Sequence, residues 1–325
     1  MAAGAPPPVS IILPVRDEEG LLAACLESLA AQDYPKIVEV VVADGGSTDR
    51  TAELAASYPK VVVVDNPRRS RPAGLNVALR HATGEIVVRV DARTRLAADY
   101  VSRCVEALER SGAAIVGGPM AYEATTPGQR AFAAAMSSRL GAGPAEFRRP
   151  GGEPRFVDTV YLGAFRKEVI DELGGYDEWS GGNEDAELAY RAQIAGGVFL
   201  DPAIRSTYMA REGLGELGRQ FYRYGRNRAR TVRKHPASLS WRQMAPPALL
   251  LALVAPWRRY VGAAYLAAVG SRVALQAASD PASSRYLAAY LPVMHLAWGT
   301  GFFVGLATTA TAGGPVVEAN TSASA

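Results

Sequence analysis

Acidic residues end three runs of β-favouring residues in the first third of the chain. The first run is followed by Asp17 and Glu18, the second by Asp44, and the third by Asp91. The runs occupy residues 9–13, 37–43 and 84–90. A carboxylate at the end of a strand can accept hydrogen bonds from a base or ribose. It can also hold a hard cation such as Mg²⁺ or Mn²⁺ that bridges a diphosphate.

These strand ends also have plain structural interpretations. The turn at residues 44–49, which reads DGGSTD, fits an ordinary strand-to-helix turn in which Ser47 caps the next helix. The structural interpretation of Asp91 is a residue at a strand end that caps the next helix. Because several polar strand ends occur together, we favour a ligand site over simple capping.

Two adjacent acids, Glu184 and Asp185, open a helical pattern after a glycine-rich turn. Acids in a first helical turn are stabilised by the helix dipole, which is the structural interpretation. The functional interpretation is a general base that removes a proton from a hydroxyl nucleophile. The sequence alone does not separate the two.

The basic stretch at residues 205–242 contains ten Arg or Lys residues and two acids. Within it, residues 220–224 interleave arginine with aromatic residues, which can stack on sugar rings and pair with phosphates. An amphipathic helix on anionic lipid explains the same pattern. We expect no nucleic-acid binding, because the stretch adjoins an apolar tail and no recognisable nucleic-acid fold.

Helical patterns separate the strand-like runs, which predicts β-α-β units in a doubly wound, mostly parallel sheet with helices on both faces. The carboxyl ends of its strands should therefore meet at one edge, where such sheets bind ligands. Residues 121–160 show weak periodicity and are predicted to be irregular. The predicted helices cover residues 19–32, 47–54, 72–82, 100–110 and 184–195, and further strands cover 60–65, 113–117 and 198–200.

The chain becomes apolar after about residue 245. The segment 286–310 is long enough to span a bilayer, which takes ~20 residues, whereas 248–255 and 260–270 are short for spanning. We therefore predict an α/β catalytic domain over 1–240, a hydrophobic helical membrane-associated region over 241–310, and a disordered tail over 311–325. The N-terminus has no basic region followed by an apolar stretch, so we expect the first domain to be cytosolic.

Composition and missing motifs exclude several classes. The chain has 325 residues, of which 21% are charged and 49% apolar, which excludes global disorder. Its two cysteines form no C-x-x-C pair, which argues against a zinc site or a disulfide scaffold. The glycine-rich dinucleotide motif, the Walker loop and the G-x-S-x-G elbow do not occur.

The ordered set of motifs resembles family 2 glycosyltransferases of the GT-A fold, and within them the succinoglycan-type exopolysaccharide branch. The resemblance covers about residues 8–240 and implies inverting transfer of a sugar from a nucleotide-diphospho-sugar. The basic stretch and the apolar tail would hold the site near a bilayer, so we expect a saccharide or lipid-linked saccharide as acceptor, at the cell membrane with the catalytic domain in the cytoplasm. The motifs that carry the resemblance are residues 12–18, 44–49, 72–76, 84–92, 174–177, 184–185 and 222–231.

The resemblance also implies roles for particular residues. Asp185 would be the catalytic base, with Glu184 beside it, and Asp91 would face the diphosphate and its metal. Acceptor contacts would come from Gln220, Arg223 and Tyr224. Donor contacts would come from Pro14, Val15, Asp17, Glu18, Asp44, Arg71, Asn76, Asp91 and Arg93.

Two positions depart from the family pattern. The usual Asp-Asp before Gly-Ser is Ala43-Asp44, and the second acid of the usual Asp-x-Asp is Arg93. Mg²⁺ or Mn²⁺ could still bind through Asp91, the diphosphate and water. Alternatively, Arg93 could itself neutralise the leaving diphosphate.

Two rival functions remain open. A sugar-phosphate nucleotidyltransferase should carry a glycine-rich phosphate loop after the first strand, where this chain has residues 14–18, reading PVRDE. A catalytically silent nucleotide-sugar-binding scaffold is suggested by the incomplete Asp-x-Asp.

Overall fold

The computed structural model describes residues 5–143, 145–149 and 151–311, and the chain divides into two compact units between Ala210 and Arg211. The first unit is α/β, and the second is helical. The basic stretch therefore belongs mostly to the helical unit, whereas the predicted catalytic domain extends to residue 240. Residues 312–325 of the predicted disordered tail lie outside the described residues.

An eight-stranded sheet forms the centre of the first unit, in the order β3-β2-β1-β4-β9-β6-β10-β8. A small second sheet has the order β5-β11-β7. The strands are β1 (Val9–Val15), β2 (Ile37–Asp44), β3 (Val61–Asp65), β4 (Ile86–Arg89), β5 (Thr94–Leu96), β6 (Ile115–Gly118), β7 (Met120–Glu123), β8 (Arg155–Val157), β9 (Tyr161–Arg166), β10 (Val198–Leu200) and β11 (Ser206–Met209).

The order of the strands fixes where a ligand can bind. Strand β1 pairs in parallel with β2 on one side and with β4 on the other. The chain therefore winds outward in both directions from β1, and the carboxyl ends of β1, β2 and β4 share one edge. Open α/β sheets bind ligands in the crevice at such a reversal of strand order.

Helices cover both faces of the large sheet, as predicted. Successive side chains of a strand point to opposite faces, so Ile11 and Leu13 pack into one core and Ile12 into the other. The first core includes residues of α1 and α4, and the second includes residues of α3, α6 and α7. The helices are α1 (Glu19–Ala30), α2 (Thr51–Ala56), α3 (Arg71–His81), α4 (Tyr100–Ser111), α5 (Pro127–Ser137), α6 (Lys167–Glu172) and α7 (Glu184–Ala192).

Two local expectations were wrong. Ser47 does not cap α2, because that helix begins at Thr51. The Ser47 hydroxyl instead donates a hydrogen bond to Asp44 and accepts one from the backbone N–H of Asp17. The segment 121–160 is not uniformly irregular, because it contains most of β7, all of α5 and all of β8. Helix α5 has a capping box between Thr126 and Gln129. This sequence signal predicts a helix start even though the apolar periodicity of the segment is weak.

The second unit contains four α-helices among the residues described: α8 (Leu214–Lys234), α9 (Ala245–Val254), α10 (Arg258–Ser279) and α11 (Pro281–Thr311). Helices α10 and α11 are long and apolar enough to cross a membrane. The apolar segment 260–270 is predicted to be short for spanning a bilayer. Helix α10, which contains it, is longer: it begins at Arg258 and continues past Arg272, whose side chain donates a hydrogen bond to Gln276.

Glycines allow α8 and α11 to approach closely. A methyl group on Gly225 of α8 would collide with the backbone carbonyl of Trp298, and one on Gly301 of α11 would collide with that of Tyr222. Gly305 meets the backbone of Arg226 in the same way. Along this seam the two backbones are in direct contact, so any side chain would force them apart.

We expect Gly225→Ala to destabilise the second unit by about 1–3 kcal/mol, because it overpacks this contact. Gly270→Ala is the matched control, since the methyl group that alanine would add there on α10 meets no atom of another element within 4 Å. Alanine there should stabilise the helix by roughly 0.5–1 kcal/mol. Thermal unfolding of both variants in detergent measures the difference, and equal effects would contradict the close packing of α8 against α11.

Candidate active site

A buried arginine lies at the centre of the acidic residues that the sequence singled out. Arg89 is the last residue of β4, and its side chain is 1% exposed. Its Nη2 lies 3.1 Å from Asp91 Oδ1 and 3.6 Å from Glu184 Oε1, and its Nη1 contacts Asp185 Oδ1. One guanidinium group thus joins the strand end at Asp91 to the start of α7.

Arg71, the first residue of α3, joins the same cluster from another side. Its Nε lies 2.6 Å from Glu184 Oε1, and its Nη1 lies 3.8 Å from Asp91 Oδ2. Three elements that are far apart in sequence therefore meet around two guanidinium groups. We call Arg71, Arg89, Asp91, Glu184 and Asp185 the arginine–carboxylate cluster.

The structure separates the adjacent acids of α7 by their exposure. Glu184 is 0% exposed and forms ion pairs with both Arg71 and Arg89. Asp185 is 38% exposed. A carboxylate has two oxygens, so Oδ2 of Asp185 can accept a proton while Oδ1 contacts Arg89. Asp185 is thus the acid that a substrate can reach, whereas Glu184 supports the cluster from within.

Electrostatics keep the buried guanidinium charged. Burial works against the charge of Arg89, but the nearby carboxylates of Asp91 and Glu184 favour it, and the pKa of Arg89 is raised. The Tyr176 ring lies 5.9 Å from the guanidinium carbon, and burial raises the pKa of its hydroxyl well above the usual range. Tyr176 therefore contributes a neutral aromatic wall.

Asn76 fixes the position of that wall. Its side-chain amide donates to the backbone oxygen of Tyr176 at 2.8 Å and accepts from the backbone N–H of Tyr176 at 2.8 Å. It also donates to Glu178 at 3.2 Å. The predicted donor contact of Asn76 stays a prediction, and the observed contacts make it a support for Tyr176.

The loops after β1 and β2 are tied together by their own acids. The Asp44 carboxylate accepts hydrogen bonds from the backbone N–H groups of Gly46 and Ser47. Asp17, at a φ of 51°, accepts from the backbone N–H of Thr48 at 2.7 Å. These bonds give the two loops a fixed shape. Because β1 lies between β2 and β4, the loops are on the same edge of the sheet as the end of β4.

The remaining donor-side residues lie around the same strand ends. Val15 is buried in the core, and its carbonyl oxygen accepts from the N–H of Gly45 at 2.8 Å. Pro14 packs against Gly74 of α3. Glu18 Oε2 lies 3.6 Å from Arg93 Nη2, which links the end of β1 to the turn after β4.

Cys25 supports this turn from below. Its thiol lies 3.7 Å from the backbone oxygen of Asp91, and burial followed by the charge of Asp91 raises the pKa of Cys25 to about 12. The thiol therefore stays protonated and unreactive at neutral pH, which confirms its predicted place in the core.

The residues around Asp91 do not fit a cation held by several carboxylates. Asp91 is in contact with two guanidinium groups, and position 93 supplies a third in place of the second acid. Among the described residues, no group of three or more His, Cys, Asp or Glu side chains is arranged to hold a metal ion. Mg²⁺ and Mn²⁺ prefer several oxygen ligands, so a cation here would depend on donor phosphates and water.

The three predicted acceptor residues lie on α8, in the second unit. Gln220 is buried and donates to the hydroxyl of Tyr224 at 2.7 Å, one helical turn away. Arg223 is exposed. Their roles in acceptor binding stay a prediction.

The candidate site residues from the sequence do not include Arg89. It lies within a β-favouring run, where the preceding residues Ile86, Val87 and Val88 are apolar. Arginine is almost never fully buried unless it is paired. A lone arginine in a strand that is buried on both faces therefore signals carboxylate partners elsewhere in the chain.

Comparisons with a protein-family model and with individual proteins agree with one another. The family model described as "Glycosyl transferase family 2" matches residues 10–174. The chain is 34% identical over 309 residues to the succinoglycan biosynthesis protein ExoA of Rhizobium meliloti, covering 90% of this chain and 93% of that protein. It is 25% identical to a dolichyl N-acetyl-α-D-glucosaminyl phosphate 3-β-D-2,3-diacetamido-2,3-dideoxy-β-D-glucuronosyltransferase of Methanococcus voltae, covering 72% of this chain and 76% of that protein.

Among solved structures, the chain is similar to the mannosyltransferase PcManGT of Pyrobaculum calidifontis, which was solved in complex with GDP-Man and Mn²⁺. The TM-score is 0.58 at 22% identity, covering 90% of this chain and 87% of that chain. This likeness confirms the predicted fold.

Proposed function

The chain belongs to glycosyl transferase family 2 and is a glycosyltransferase. On that premise, we propose that it inverts the configuration at the anomeric carbon of the sugar it transfers. The donor is a nucleotide-diphospho-sugar, and the acceptor is a hydroxyl of a saccharide or lipid-linked saccharide in exopolysaccharide or cell-surface glycan synthesis. The role of the ExoA relative in succinoglycan biosynthesis supports this product class.

The observation that carries the proposal is the difference between the two acids of α7. Asp185 is accessible while Glu184 is buried, and both contact Arg89, which also contacts Asp91. An accessible carboxylate beside the donor edge of the sheet suits a general base. Glu184 is a positioning residue, because it acts through Arg71 and Arg89 rather than on the substrate.

The reaction then follows in one displacement. Asp185 Oδ2 takes the proton of the acceptor hydroxyl as that oxygen attacks the anomeric carbon. The bond between this carbon and the diphosphate oxygen breaks, and the nucleoside diphosphate leaves with the electron pair. The loops held by Asp17 and Asp44 bind the nucleoside end of the donor.

We also propose that the enzyme works at the cell membrane with its catalytic unit in the cytoplasm. Helices α10 and α11 have the length and composition of membrane spans, and the basic helix α8 is suited to anionic lipid. A lipid-linked acceptor fits an enzyme held at that surface, and membrane lipid is then a partner of the second unit.

A screen of nucleotide sugars for thermal stabilisation tests the proposal on the full chain in detergent. A donor present at 100 times its Kd should add roughly 2.7 kcal/mol to the stability of the state that binds it. We expect one or a few donors to stabilise the protein, and transfer from such a donor to give a product of inverted anomeric configuration by NMR. Retained configuration would contradict the mechanism, and stabilisation by no donor would contradict the function.

Activity assays on the same protein distinguish the rivals. A silent scaffold would be stabilised by a donor but would neither hydrolyse nor transfer it with any acceptor. A nucleotidyltransferase would instead release pyrophosphate from a nucleoside triphosphate and a sugar phosphate. The loop after β1, with Asp17 at a positive φ and Glu18 paired to Arg93, lacks the glycine-rich sequence that such an enzyme uses.

A further inference from the structure

The turn after β4 carries an arginine where the family pattern has its second acid. The turn is closed by a hydrogen bond from the N–H of Thr94 to the oxygen of Asp91 at 2.9 Å. The carbonyl of Arg93 accepts from the N–H of Met209 at 3.0 Å, which anchors the turn to β11. The backbone at position 93 is therefore fixed on both sides, and its side chain extends from a rigid base.

The contacts of Arg93 leave it able to exchange partners. Its Nη2 lies 3.6 Å from Glu18 Oε2, and the two side chains are 27% and 23% exposed. At 3.6 Å the two atoms are farther apart than in a hydrogen bond. A phosphate oxygen that entered the same crevice could form a shorter, charge-assisted contact with the guanidinium.

The formal charges also favour Arg93 as the phosphate partner. In the family's Asp-x-Asp pattern, two aspartates and one divalent cation sum to zero. Asp91 and Arg93 sum to zero without any cation. A cation added beside Arg93 would therefore leave an excess of positive charge that the usual site does not have. It would also approach an Asp91 carboxylate that already contacts Arg89 and Arg71.

We propose that Arg93, with Arg71 beside Asp91, binds the diphosphate of the nucleotide donor in place of a divalent cation, so that donor binding does not depend on metal. Arginine presents a planar fork of donors that matches phosphate oxygens, and its charge does not depend on pH in the physiological range. This inference rests on the proposed function, because it concerns the donor of that reaction.

Nucleotide affinity measured by calorimetry tests the inference without any turnover. UDP and GDP are titrated into the full chain in detergent, once with EDTA and once with Mn²⁺. For the wild-type protein we expect the affinity for the nucleotide that binds to agree within about threefold between the two conditions, which is ~0.7 kcal/mol.

Arg93→Asp restores the two acids of the family pattern. We expect this variant to bind the nucleotide at least about tenfold more weakly than wild type in EDTA, which is ~1.4 kcal/mol, and to recover affinity with Mn²⁺. Arg93→Lys keeps the charge and should show an intermediate loss without a response to Mn²⁺. Melting curves of each variant establish that it is folded.

Arg95→Asp is the matched control, since it makes the same change of charge two residues later. Arg95 is exposed on β5 and pairs with Glu123 at 3.0 Å. Its nucleotide affinity should equal that of wild type in both buffers.

Two outcomes would overturn the inference alone: wild-type affinity that rises tenfold or more with Mn²⁺, or an Arg93→Asp variant that binds like wild type in EDTA. Binding of neither nucleotide in any buffer, together with no transfer from any donor, would instead overturn the proposed function and this inference with it.

Discussion

Asp185→Asn should lower kcat for sugar transfer by about 10²–10⁴-fold, the usual contribution of a positioned general base. Asparagine keeps the size of the side chain but cannot accept the proton of the attacking hydroxyl. The nucleotide affinity should change little, because Asp185 acts on the acceptor. Single-turnover transfer assays, with calorimetry of nucleotide binding alongside, measure both effects.

Two variants make this result specific to the base. Asp171→Asn removes the same charge from α6, where Asp171 is exposed and pairs with Lys167 at 2.6 Å, and it should leave kcat unchanged. Glu184→Gln should act mainly on stability, since Glu184 is buried between two arginines. If Asp185→Asn kept full activity, or if Asp171→Asn lost as much, the assignment of the base would be wrong.

Arg89→Met should destabilise the first unit by about 3–5 kcal/mol, because it removes the buried cation that Asp91, Glu184 and Asp185 share. Methionine fills a similar volume, so the expected loss comes from carboxylates that lose a cationic partner rather than from a cavity, although Arg71 still contacts Asp91 and Glu184. For a unit of this size the melting temperature should fall by roughly 2–4 °C per kcal/mol. Differential scanning calorimetry of the full chain measures the change.

A second substitution tests that physical cause. If the loss comes from unpaired charge, Arg89→Met combined with Glu184→Gln should be more stable than Arg89→Met alone. Arg103→Met is the matched control, because Arg103 is exposed on α4 and pairs with Asp99 and Glu106 on the surface. A melting temperature for Arg89→Met that equals that of Arg103→Met would contradict the central role of Arg89.

The strand pattern was predictable because it is local. Each run of apolar residues indicates a buried strand. The acid that follows it, Asp17, Asp44 or Asp91, marks the carboxyl end at which the strand reaches the surface. Parallel connection through helices then brings these ends to one edge without further information. The prediction that Ser47 caps a helix was wrong because a serine hydroxyl can bond either to a helix N-terminus or to neighbouring loops. The folded loops place it against the carboxylate of Asp44 and the backbone N–H of Asp17.

What the sequence determined by itself was the α/β architecture, the acidic edge of its sheet and the apolar C-terminal helices, since residue type and periodicity encode all three. The tertiary structure alone decided that Arg89 joins Asp91 to α7, and that Glu184 is buried while Asp185 is accessible. Neighbouring residues on a helix differ in burial only through what packs against each one. Those partners, Arg71 and Arg89, come from distant parts of the chain, so no local pattern records them.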